Sequence, residues 1–139
     1  MATVNYVSEA AAGVSPIGLV VRLYENIVSD LGRAVMAIRD GDIEKRTAHL
    51  QHALLLIAHL ENALDLTNGG EPARALEKFY ALARSRIVEA QLRQSGKILE
   101  EMMTEFLSVR EAWEEVEKEQ QARQSSGAVS GDSHLSCIA

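Results

Sequence analysis

The chain has 139 residues, 47% of them hydrophobic and 24% charged, and a formal net charge of −6. That is length enough for one domain with a real core, and the negative balance argues against nucleic acid as a partner, since phosphate contacts need a concentrated positive face. Aromatic content of 4% with two prolines speaks against a sheet-rich fold and for long helices.

The start, MATVNYVSEAAAG, has neither the basic region nor the apolar run of a signal peptide. No later stretch approaches the roughly 18 consecutive apolar residues of a membrane span, so a cytoplasmic protein without membrane insertion is expected. Residues 1–14 read as an arm in which Val4, Tyr6 and Val7 are apolar enough to lie against something.

Ser15-Pro16 is a helix start, with a capping hydroxyl followed by proline at the first helical position. Ile17, Val20, Tyr24, Ile27, Leu31, Ala34 and Ile38 then step by three and four along one side, while Arg22, Glu25, Ser29, Arg33 and Arg39 take the other. Val21, Val28 and Val35 widen the stripe, which therefore suits a bundle interior. Gly41 ends this helix and Asp42 caps the next.

In the second helix Ile43, Leu50, Ile57 and Leu64 recur every seven residues, with Ala53, Leu54 and Leu60 between them, up to about Leu66 before Asn68-Gly69-Gly70. Leu55 points almost opposite Ile57 and Leu56 lies between the two faces, so this helix is apolar on more than one side. A third helix opens with Pro72 in its first turn and runs to about Gln94, carrying Leu76, Tyr80, Ala83, Ile87 and Ala90 inward and Leu82 outward. Its exposed side is basic and the last helix is rich in glutamate, a charge asymmetry expected to help order the two. Ser95-Gly96 starts that last helix, with Leu99, Met102, Phe106, Val109, Trp113 and Val116 as its stripe. Four stripes predict an all-α, elongated antiparallel four-helix bundle over 15–124, preceded by the arm or a short helix and followed by a disordered polar tail over 125–139. Cys137 stands alone in that tail and can close no disulfide within the chain.

Catalytic signatures do not emerge. No Glu-x-x-His pair of the kind that builds di-metal bundles occurs, nor a glycine-rich phosphate loop, a GxSxG elbow or a Cys/His pairing. His49, His52 and His59 line one side of the second helix, read as the outer side without an acid or sulfur partner nearby in sequence, so no metal and no cofactor are expected. A histidine phosphotransfer domain is a distant alternative. The surplus of apolar residues, with Leu55, Leu56, Leu82 and Leu92 among them, points to a groove for an amphipathic segment of another protein, or to self-association, with a homodimer left open.

These residues resemble the FliS family of flagellin-specific export chaperones. The resemblance runs from Tyr6 to Trp113, through Ser15-Pro16, Leu19, Leu23-Tyr24, Ala34 and Ile38 before a GDIE turn. It continues with Leu50, Ala53, Ile57, Leu60, Leu64-Asp65, Leu76, Tyr80, the IVEA stretch Ile87 to Ala90, KILEE at Lys97 to Glu101, and Arg110, Ala112 and Trp113. Glu25-Asn26 stands where the family often has an acid-glycine pair, and Gln91 where it often has asparagine. The resemblance implies a cytoplasmic, non-enzymatic chaperone that binds the disordered C-terminal segment of flagellin and prevents polymerisation before type III export. An export gate or a co-chaperone is implied as a further contact. It also implies partner-binding roles for Tyr24, Leu64, Tyr80, Ile57 and Leu60, with Leu55 and Leu56 added from the face pattern, and a capping role for Tyr6 in competition with the client.

Overall fold

In a computed structural model that describes residues 15–125, the chain forms α1 (Pro16–Asp40), α2 (Ile43–Ala63), α3 (Gly70–Arg93) and α4 (Gly96–Ser125), with no strand among the described residues. Each boundary has a local cause. The Gly18 amide donates to Ser15 Oγ at 2.9 Å, with Pro16 at the first helical position. Gly41 ends α1 in the left-handed region, φ 68°, and the Asp42 amide turns back to the Ala37 carbonyl at 2.8 Å. Asp42 then caps α2 by accepting from the Lys45 amide at 3.0 Å, and Ser95 Oγ accepts from the Ile98 amide at 3.2 Å at the start of α4.

Two boundaries depart from the pattern. The second helix stops at Ala63 instead of near Leu66, because Leu64 turns extended and the Asp65 carboxylate takes the amides of Thr67 and Asn68 at 3.2 and 3.0 Å. A side chain that bonds forward in this way offers the backbone an alternative to helix. Those bonds, Asn68's above all, hold the Asp65 carboxyl below its ordinary pKa. The third helix begins at Gly70, two residues before Pro72, which still falls in the first turn where a missing amide costs no helical bond.

Neighbouring helices run antiparallel: Glu25 of α1 meets Arg110 of α4 at 3.1 Å, whereas Ser15 reaches Glu117. α1 packs most closely, against α2 on one side and α4 on the other, and α3 closes the bundle with looser packing on both its neighbours. The core is the set of inward stripes: Ile17 to Val35 on α1, Leu50 to Leu60 on α2, Tyr80, Ala83, Ile87 and Ala90 on α3, and Leu99, Met102, Phe106 and Trp113 on α4. Ile38, Leu76, Val109 and Val116 lie at its edges, half-buried. The basic α3 serves both neighbours and not α4 alone: Arg86 reaches Glu101 at 2.9 Å, while Arg84 pairs with Glu61 of α2. No described helix is long and apolar enough to cross a membrane. The arm with Tyr6 and the tail with Cys137 lie outside the described residues.

A Cβ added at Gly41 would meet nothing within 4 Å, so a substitution there strains only the left-handed backbone. Gly41→Ala is expected to lower stability by about 1 kcal/mol in urea unfolding, with helix content unchanged.

Candidate partner-binding surface

The residues expected at a partner site fall into two sets. Tyr24, Leu56, Ile57, Leu60 and Tyr80 are fully buried among the helices. They form the floor beneath the surface and present no face of their own to a partner. Leu56, placed by the helical wheel between two faces, is covered because α2 is flanked by both α1 and α3. Leu55 is 53% exposed and Leu64 half-buried, so these two remain on offer, and Tyr6 falls outside the described residues.

Two of the buried residues carry a polar chain through the core. The Tyr24 and Tyr80 hydroxyls are 2.7 Å apart, and Trp113 Nε1 donates to the Tyr24 hydroxyl at 3.3 Å, joining α1, α3 and α4. Around it the Tyr24 ring meets Tyr80 and Phe106 edge-on, at centroid distances of 6.3 and 5.3 Å, and Phe79 packs on Phe106 at 4.9 Å. Burial pushes the Tyr24 hydroxyl up to about 12. Burial, followed by the neighbouring Tyr24, raises Tyr80 as well.

A second buried polar group went unread in the sequence. Asp30, 4% exposed on α1, receives Nδ1 of His49 on one carboxylate oxygen at 3.2 Å and Nδ1 of His52 on the other. The two histidines are therefore half-buried and acid-paired, not lone residues of the outer side. The available signal was Asp30 itself, one residue before Leu31 in the apolar stripe, since a buried acid requires partners. Among the described residues no group of three or more His, Cys, Asp or Glu is arranged to hold a metal ion.

Two apolar clefts among the described residues lie along α3. Between α2 and α3 runs a 190 Å³ cleft lined by Thr47, Leu50, Gln51, Leu54, Ile87, Val88, Gln91 and Leu92. Between α3 and α4 lies a second of 240 Å³, almost wholly apolar, lined by Pro72, Ala75, Leu76, Val109, Ala112, Trp113 and Val116. Exposed leucines border the first: Leu92 lines it and Leu55 follows its lining residue Leu54, whereas Leu82, also exposed, lies seven residues past Ala75 and outside the second. The ridge between them carries Arg74 and Lys78. The first cleft lies against the C-terminal part of α3 and the second against its first turns.

A family model described as "Flagellar protein FliS" matches residues 1–120. A flagellar secretion chaperone FliS of Campylobacter jejuni is 34% identical over 113 residues, covering 81% of this chain and 88% of the relative. One from Salmonella typhimurium is 30% identical over 111 residues, 79% of this chain and 82% of the relative. The flagellar secretion chaperone FliSB of Pseudomonas aeruginosa is 28% identical over 100 residues, 72% of this chain and 79% of the relative.

The buried hydroxyl chain has a measurable consequence. A tyrosine whose pKa is raised in the folded state contributes stability that is intact below its unfolded value of 10.0 and declines as pH climbs toward the folded value, about 12 for Tyr24. Between pH 10 and 12 each of the two tyrosines should cost about 1.4 kcal/mol per pH unit. Urea unfolding at pH 9 and pH 11 is expected to show this fall, and Tyr24→Phe to show a shallower one. At pH 7 the same variant, which strands Trp113 Nε1 and the Tyr80 hydroxyl, should lose about 1–3 kcal/mol.

Proposed function

Since the chain belongs to the FliS family, we propose that it is a cytoplasmic, non-enzymatic chaperone that holds the C-terminal segment of flagellin until export. The observation that carries this reading is the pair of apolar clefts flanking α3. A client that polymerises through an amphipathic segment is kept monomeric when that segment's apolar face is already occupied. The segment folds as it binds, so ordering entropy offsets part of the contact energy and the complex stays releasable without ATP. The export gate is the natural receiver of the loaded complex.

Calorimetric titration with the C-terminal segment of flagellin from the same cell tests the proposal. One-to-one saturable binding is expected, with a gain of helix by circular dichroism and a negative heat-capacity change. Leu55→Asp and Leu92→Asp should each weaken binding about tenfold without loss of helix, because each places a charge at the exposed margin of the α2/α3 cleft. A well-folded chain that binds no flagellin segment would remove the proposal.

A further inference from the structure

Outside the clefts, the described residues hold a buried cation with no acid beside it. Arg46 of α2 is 9% exposed, and among the described residues nothing pairs with its guanidinium. The Nε is sealed from solvent without an acceptor; the two terminal nitrogens, which have no bond within the described protein, are not sealed. A buried charge in this state is costly, and an oxyanion that takes charge-assisted hydrogen bonds from it removes the cost.

Where this guanidinium stands follows from register. Arg46 heads the buried stripe of α2, one turn before Leu50 and in line with Ala53, Ile57 and Leu60. Around the helix it falls between His49, which faces Asp30 of α1, and Thr47, which bonds Gln91 of α3. It therefore points at the bundle axis, toward α4 on the far side. Asp30, bonded to both His49 and His52, sets Val35 of α1 level with Arg46. A Cβ at Gly96, the first residue of α4, would sit 3.7 Å from Val35 Cγ1, so α4 begins at that same level. Side chains on a helix lean toward its N-terminus, which carries the Arg46 head to the end of the bundle where α2 and α4 both start.

That end favours an anion. The first amides of a helix lack intrahelical partners and carry the positive end of its dipole. At α4, Ser95 takes the Ile98 amide, which leaves those of Gly96 and Lys97 to an outside acceptor, and the exposed Lys97 side chain adds charge. Of the acids nearby in sequence, Asp42 is engaged in capping α2, while Asp40 and Glu44 are exposed.

We propose that Arg46 and the first turn of α4 form an oxyanion site at this end of the bundle, taking a phosphate or carboxylate group between the terminal guanidinium nitrogens and the α4 amides. The site does not depend on the chaperone reading.

Thermal unfolding and NMR of the full-length chain test it, with chloride replaced stepwise by inorganic phosphate at fixed ionic strength. The Arg46 Nε–Hε signal, assigned by its loss in Arg46→Met, should shift saturably with phosphate. At about tenfold the half-saturating concentration the thermal midpoint should rise by about 5 °C. Arg46→Met should match or exceed the wild-type midpoint in chloride, because it removes an uncompensated charge, and should lack the phosphate-dependent rise. Lys97→Glu, at an exposed position, should keep the fold and raise the half-saturating phosphate about threefold or more. An unchanged value there would take the anion away from α4 and overturn the site. Arg46→Met that loses stability equally in both salts would make Arg46 a support for the carbonyl ends of α1 and α3, and overturn it as well. So would a wild-type signal that phosphate leaves in place, whether water or a carboxylate of residues 1–14 or 126–139 meets the guanidinium.

Discussion

The structure depends on an apolar stripe on α1 that is wider than one neighbouring helix can cover. The seam from Ile17 to Ala34 is broadened by Val21, Val28 and Val35, and burying it takes α2 on one flank and α4 on the other. Each fully buried side chain of that seam contributes about 1.5–3 kcal/mol, so those two contacts set the frame. α3 completes the core from across the bundle. What meets α1 there is bulky: the edge-on Tyr24–Tyr80 pair, with Phe106 and Phe79 against it. A buried tyrosine hydroxyl needs a partner, and Tyr24, Tyr80 and Trp113 satisfy one another, which fixes the height at which α3 rides.

That height has a functional side. A helix held off by an aromatic layer cannot draw its neighbours tightly against both flanks, and α3 accordingly has an apolar cleft on each. The same helix supplies Tyr80, Ala83, Ile87 and Ala90 to the core, so its flanks and its inner face serve different ends. Its ridge residue Arg74 pairs locally with Glu71 at 2.8 Å, and its flanking arginines bond to acids of α2 and α4. Such exposed pairs add little stability individually. They do match the arginine charges beside the clefts.

The helices and most of their ends were legible because the signals are local. Ser15, Asp42 and Ser95 act as caps where the pattern places them, and the stripes fall on the predicted sides except at Ile43, which the first turn of α2 leaves 63% exposed. The division between floor and surface was not legible. Tyr24, Ile57, Leu60 and Tyr80 sit on their stripes whether a neighbour covers them or a client does. Which of these happens depends on interhelical distance, a quantity no single helix encodes. Leu55 was legible because it points away from every stripe, and Leu56 was misplaced because two neighbours cover what a helical wheel assigns to an edge. Asp30 shows the same limit. Its place beside the stripe is local, but its bonding to His49 and His52 needs the register of α2 on α1.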